Sequence, residues 1–354
     1  MDSTTKPYLP ALTGLRAISA WMVFLHHFNP LFGTNYPSIL IKTINELHIG
    51  VTIFFVLSRF IITYNYLSPP QINFRTYLWR RFTRIYPLYF LLTLGTYAII
   101  FTYYGELKTF QWWALGMNIT MLKGLFNDFI FTGIAQSWTL TVEESFYLSA
   151  PFIAHFLFKK PINYSVFLII SSITFTGILL TILSYDFPFE PLPNVKFMFH
   201  FTFFGRITEF VAGMLLAKCF VNKTRTSFMY FTQFGTGFIL LSLVCLAILS
   251  KGDSTGDNSW LGIITNNIML PIFGICPLLW GLIQEKTWLR DALSSPIFIL
   301  MGNSSFAFYL IHMGIFKNYL SLHIPNLGLQ FIILQLSAIL LYKCIEQPLK
   351  IILR

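Results

Sequence analysis

Charge is what this sequence has least of. Only 11% of its 354 residues are Asp, Glu, Lys or Arg, against about 25% in an average soluble domain. A chain so poor in charge and 55% hydrophobic is neither a soluble enzyme nor a disordered tail. Cysteine is scarce too. Cys219, Cys245, Cys276 and Cys344 are scattered through or beside apolar stretches without ligand spacing, which argues against a disulfide framework and against a zinc site. No metal is expected. Internal repeats, low-complexity tracts and appended polar regions are absent, so the chain lacks the two-half pseudo-symmetry of many transporters. No cleavable leader is expected either. MDSTTKPYLP is polar, an Arg interrupts the apolar run behind it, and no small-residue cleavage site follows.

Apolar runs fill the space that charge leaves. Mean hydropathy is +0.65, and stretches long enough to cross a bilayer recur near 10–29, 47–67, 84–104, 136–158, 163–184, 198–220, 229–249, 258–283, 293–319 and 326–348. They predict an all-α integral membrane protein of about ten transmembrane helices in one bundle, with residues 1–354 as a single domain. Residues 109–124 are too short and interrupted to span, and read as re-entrant or interfacial. The net charge of +10 raises the question of nucleic acid, but its distribution answers it. With the N-terminus inside, more than twice as many Lys and Arg fall on inner segments as on outer ones. That bias reports topology, with both termini cytoplasmic and the chain in the cytoplasmic membrane. No nucleic-acid partner is expected.

The few polar residues inside the runs carry the chemistry. Arg16 and His27 lie in the first run, eleven residues apart, which returns to nearly the same helix face about 16 Å along the axis. His26 points roughly 80° away. An intramembrane Arg is a functional candidate by default, because it costs at least ~2.5–3.5 kcal/mol to insert. A snorkelling Arg and a core His is the plainer reading. The second cluster is RRFTRIYP, residues 80–87, at the inner entry of the third run. Arg81 and Arg84 are three apart and share a face, Arg80 adjoins them, and arginine suits bidentate phosphate contacts. A positive-inside flank accounts for such a cluster as well. The third is SWTLTVEESFYL, residues 137–148. Thr139 and Glu143 share a helix face, and Glu143 falls at a depth similar to His27. A carboxylate and an imidazole at one depth are the parts of a general-base pair. Glu144 reads as a structural carboxylate.

Taken in order, LTGLRAISAWMVFLHHF, GVTIFFVLSRF, RRFTRIYP, WTLTVEESFYL, RITEFVAGMLLA, SSFAFYLIHM and IEQPL resemble the successive motifs of the acyltransferase family 3 membrane proteins. The resemblance runs nearly the whole chain. It implies transfer of an acyl group, usually acetyl, from cytoplasmic acyl-CoA to a hydroxyl of an extracytoplasmic or lipid-linked glycan. The family's Arg-x10-His motif corresponds to Arg16 and His27, its Arg-x-x-Arg to Arg81 and Arg84, and its Ser-x-x-x-Glu to Thr139 and Glu143. The implied mechanism has two layers. Arg81 and Arg84, with Arg80, hold the CoA phosphates on the cytoplasmic side. Arg16 steers the donor arm or polarises the thioester, while His27 and Glu143 deprotonate the acceptor hydroxyl.

Three positions depart from the pattern: Thr139 replaces the motif serine, Thr52 stands where an acid is frequent, and Arg59 stands where glycine belongs. Arg59 contacts a ligand, pairs with an acid such as Glu209, or marks an impaired member. No SGNH-type domain is expected, which leaves direct acylation or hand-over to a separate periplasmic transferase. Arg206 and Glu209 in the sixth run read as a structural ion pair, His312 as a core or channel histidine, and Glu346 before Pro348 as the end or anchor of the last helix. Trp112, Trp113, Trp138 and residues 185–193 suit sugar stacking or an interfacial belt. The alternative function is a multi-span transporter or flippase without chemistry.

Overall fold

The structure is a computed structural model that describes residues 6–66, 73–159, 161–184, 186–224, 229–252 and 254–353. The first five leader residues and the end of the second expected run lie outside the described residues. In chain order the helices are α1 (Pro10–His27), α2 (Ser38–Asn45), α3 (Ile49–Tyr66), α4 (Phe74–Tyr104), α5 (Thr109–Ile119) and α6 (Trp138–Lys159). Then follow α7 (Ile162–Leu183), α8 (Val195–Phe201), α9 (Ile207–Val221), α10 (Phe231–Leu249), α11 (Trp260–Ile264) and α12 (Cys276–Gln284). The chain continues through α13 (Trp288–Leu293), α14 (Pro296–Asn303), α15 (Ser305–Ile311), α16 (Ile315–His323), α17 (Leu327–Leu341) and α18 (Gln347–Ile352). Among the described residues there is no strand, only one isolated bridge between Phe126 and Pro191.

Six helical stretches are long and apolar enough to cross a membrane: Ser38–Tyr66, Phe74–Tyr104, Ile162–Leu183, Phe231–Leu249, Trp260–Gln284 and Leu327–Ile352. The protein is a multi-pass membrane protein. The other four expected runs differ for physical reasons. α1 and α6 are helices of 18 and 22 residues, but Arg16, His26 and His27 in one, and Glu143, Glu144 and Lys159 in the other, hold their hydropathy below that of the six. The run 198–220 breaks at Thr202, whose backbone turns extended, and resumes as α9. The run 293–319 is broken into three short helices, α14, α15 and the start of α16, with Gly314 at φ +86° before the last. α5 has 11 residues, about 16 Å of helix and half a bilayer core.

Contacts divide the chain into two compact units. The first joins residues 1–71 to Thr208–Ser305. Its core is Leu12, Leu15, Ile53, Phe60, Leu246, Leu270 and Leu279 with their neighbours. α1 lies directly on α13 and α14: a Cβ on Gly14 would stand 2.0 Å from the Leu293 carbonyl oxygen, and one on Gly302 would stand 1.9 Å from that of Thr13. Only glycine lets backbones meet so closely, as at other membrane helix crossings. Between α11 and α12 the helix widens into a π-helical stretch, Thr265–Ile275, around Pro271.

The second unit joins Ile72–Ile207 to Phe306–Arg354. Its longest element is α4, whose buried residues include Tyr77, Arg81, Ile85, Tyr89, Thr93 and Tyr97. Spacings of four make them a ridge that winds slowly round the helix, by about 40° a step. The last helix does not end at Glu346. A π-helical turn, Tyr342–Glu346, carries it into α18, whose second residue is Pro348.

Candidate functional site

In the first unit, α1 carries Arg16 half-buried and His27 exposed. Its histidines are not equivalent. His26 Nδ1 lies 2.5 Å from the Asn45 carbonyl oxygen, and its ring meets that of His48 edge-on at 5.4 Å. The His27 ring lies 4.7 Å from that of His26.

Arg59 on α3 is fully buried. Its guanidinium sits 4.2 Å from the centre of the Phe210 ring and 5.7 Å from that of Phe55, and Nη1 donates to Ser58 Oγ at 3.1 Å. α9 approaches so closely here that a Cβ on Gly213 would stand 2.4 Å from the Val56 carbonyl oxygen and 2.9 Å from Arg59 Cβ. A glycine has moved across the helix pair, in effect: the arginine stands on α3 and Gly213 opposite makes room. Glu209, fully buried, lies in the first turn of α9. Thr52, where an acid was the frequent residue, is buried and donates to Asn266 Oδ1 at 3.1 Å.

In the second unit, α4 begins ten residues before the expected inner edge of its run, so Arg80, Arg81 and Arg84 lie inside the helix. Packing separates them. Arg81 is 6% exposed, Arg84 is half-buried and Arg80 is exposed. α6 supplies Thr139 and Glu143. Thr139 Oγ1 lies 3.0 Å from the Tyr309 hydroxyl, which donates to the Gln136 carbonyl at 2.9 Å. Glu143, half-buried, accepts from the Tyr147 hydroxyl one turn on. Gln136 fixes its own amide by donating to the Tyr309 and Leu310 carbonyls at 2.7 and 2.9 Å. That orientation leaves Oε1 as a buried acceptor with no donor among the described residues. His312 is fully buried, with Nδ1 2.8 Å from the Tyr309 carbonyl and its ring parallel to Phe308.

Arg206 is not within a continuous sixth span. It precedes α9 and donates from Nε to the His200 carbonyl at 3.0 Å. Glu209 lies in the first turn of the helix that begins at Ile207. Of the candidates, Arg16, His27, Arg59 and Glu209 belong to the first unit, and Arg80, Arg81, Arg84, Thr139, Glu143 and Arg206 to the second. Sequence reasoning missed Gln136, Tyr147 and Tyr309. Tyr147 was findable as the i+4 neighbour of Glu143, and Tyr309 lay in the quoted SSFAFYLIHM stretch. The cysteines are all free thiols.

The profile of the acyltransferase domain family matches residues 9–342. A Staphylococcus aureus (strain COL) protein named "Putative O-acetyltransferase SACOL0978" is 23% identical over 97% of this chain and 57% of its own length. The O-acetyltransferase OatA of Staphylococcus aureus (strain NCTC 8325 / PS 47) is 27% identical over 49% of this chain and 30% of its own. The chain thus spans little more than half the length of the first of these relatives. No solved structure matches it. With a match that takes in both units and every polar pair described above, this chain belongs to the acyltransferase family 3.

Proposed function

We propose that this protein transfers an acyl group, acetyl being the simplest, from acyl-CoA to a hydroxyl of an extracytoplasmic or lipid-linked glycan. The observation that carries the reading is the family match across residues 9–342, within which Arg16/His27, Arg81/Arg84 and Thr139/Glu143 all fall.

Each residue has a role its surroundings support. Arg81 and Arg84 bind the CoA phosphates. Arg81 is anchored on the packed ridge of α4 and Arg84 lies half-buried beside it, so the pair is held in place before the ligand arrives. Arg16 faces the developing negative charge on the thioester carbonyl oxygen. His27 takes the proton from the acceptor hydroxyl. The freed oxygen forms a C–O bond to the carbonyl carbon, the C–S bond breaks, and CoA departs with the proton as the thiol. Glu143, steadied by Tyr147, keeps the carboxylate role of the resemblance. Gln136 Oε1 offers an acceptor to a hydroxyl or amide of the glycan, beside the Thr139–Tyr309 hydroxyls. A buried acceptor left without a donor costs about 1–3 kcal/mol, so a substrate donor there gains that much.

Mass spectrometry of surface glycans from cells with and without the protein tests the reading, as does CoA release by the purified protein. An added acetyl mass that depends on the protein is the expected result. Unchanged glycans together with inert acyl-CoA overturn it.

A further inference from the structure

We propose that Glu46, His48 and Asp257 bind a divalent transition-metal ion in the first unit, and that this ion fixes the end of α1 that carries His27. Glu46 and His48 come from a single 3-10 turn, Glu46–His48, between α2 and α3. Asp257 comes from a second such turn, Gly256–Asn258, before α11. Glu46 is fully buried and Asp257 is 8% exposed. One ligand atom from each of the three lies within 4.8 Å of the others.

The distances favour a cation over a simple ion pair. His48 Nε2 is 3.0 Å from Glu46 Oε2 and 3.7 Å from Asp257 Oδ1. An imidazolium proton shared with Glu46 at the first distance does not reach Asp257 at the second. A cation at the centre engages all three at once. A point equidistant from three atoms so spaced lies about 1.9–2.4 Å from each, which brackets transition-metal bonds to imidazole and carboxylate of about 2.0–2.2 Å. One imidazole with two carboxylates suits ions from Mn²⁺ to Zn²⁺, whereas Mg²⁺ and Ca²⁺ favour all-oxygen shells.

The donors are also held from behind, as ligands in metal sites commonly are. The Gly256 N–H donates to Glu46 Oε1 at 2.8 Å, and Thr255 Oγ1 donates to Asp257 Oδ1 at 2.6 Å. The Asp257 turn is itself pinned to α10: a Cβ on Gly256 would stand 2.1 Å from the Leu246 carbonyl oxygen. His48 then touches His26, and His26 holds Asn45. A cation joining the two turns therefore ties α1, at the residue before His27, to a segment more than two hundred residues away.

Binding does not depend on the proposed chemistry, whereas the role of His27 does, and the experiment separates them. The full chain, purified in detergent and stripped with a chelator, is titrated with Zn²⁺, Mn²⁺, Mg²⁺ and Ca²⁺ in turn by calorimetry and by thermal unfolding. Expected are one saturable ion per chain and a higher unfolding temperature with the ion. Glu46→Gln and Asp257→Asn, which keep size and shape, each weaken binding by at least about tenfold. No saturable binding overturns the site, as does binding that both variants leave unchanged. Preference for Mg²⁺ or Ca²⁺ overturns the assigned ion class, and an unfolding temperature indifferent to the ion overturns the fixing role. Binding with no acyl transfer under any condition tells against the functional reading and leaves the site standing.

Discussion

At the scale of the residue, neighbours in sequence turn out to have different work. His27 is exposed while His26 is held against Asn45, so their replacement should separate. His27→Ala is expected to lower acyl transfer by about 10²–10⁴-fold, the usual contribution of a general base, with the unfolding temperature unchanged. His26→Ala is expected to lower the unfolding temperature first. Activity lost with His26 but kept without His27 would reverse the assignment. Arg59 makes a third case. Its guanidinium lies on Phe210 in a fully buried site, so Arg59→Gly should open a cavity and cost about 2–4 kcal/mol. Arg59→Lys should cost less. Equal unfolding temperatures for Arg59→Gly and the native chain would return the position to neutral drift. Lys123 offers a pH test. Its ammonium donates to the Thr132 and Ile134 carbonyls at 2.8 and 2.7 Å, and burial pushes its pKa down from 10.5 to about 7. Between those values the unfolded chain binds the extra proton, so stability rises with pH across that window. Lys123→Met should flatten the rise in thermal unfolding, and identical slopes would refute the assignment.

At the scale of the element, α4 sorts its arginines by the 3.6-residue period. Arg81 falls on the ridge with Tyr77, Ile85 and Tyr89, while Arg80 points out. Arg81→Ala and Arg84→Ala should each weaken CoA binding by about 1.5–3 kcal/mol, the worth of a charge-assisted hydrogen bond, and Arg80→Ala should have little effect. Calorimetric titration of CoA against the solubilised protein decides this, and equal affinities across the three variants would leave the cluster a topology signal. The motif itself was legible, because i and i+3 share a face on any helix. That the helix starts at Phe74 was not, since a polar first turn around the capping Asn73 carries no apolar signal. The breaks at Thr202 and Gly314 were equally hidden: composition there stays apolar, and backbone conformation alone ends the helix.

At the scale of the whole molecule, the excess of Lys and Arg on alternate segments predicts that both termini face the cytoplasm. A membrane-impermeant reagent applied to intact cells should leave tags at both ends unlabelled, and labelling of either end contradicts the topology. Composition alone determined that this chain is helical and membrane-bound, because in lipid every backbone group must be satisfied within the segment, which leaves apolar runs of this length few forms but the helix. The order of its motifs determined the family. Tertiary structure decided the rest. It buried Arg81 and left Arg80 exposed, brought Tyr309 to Thr139 across 170 positions, set Arg59 against Phe210, and gathered Glu46, His48 and Asp257. None of these has a local signature. Helical periodicity says which residues share a face, but which faces meet is fixed by long-range packing, and there lone polar residues acquire the partners that give them a chemical role.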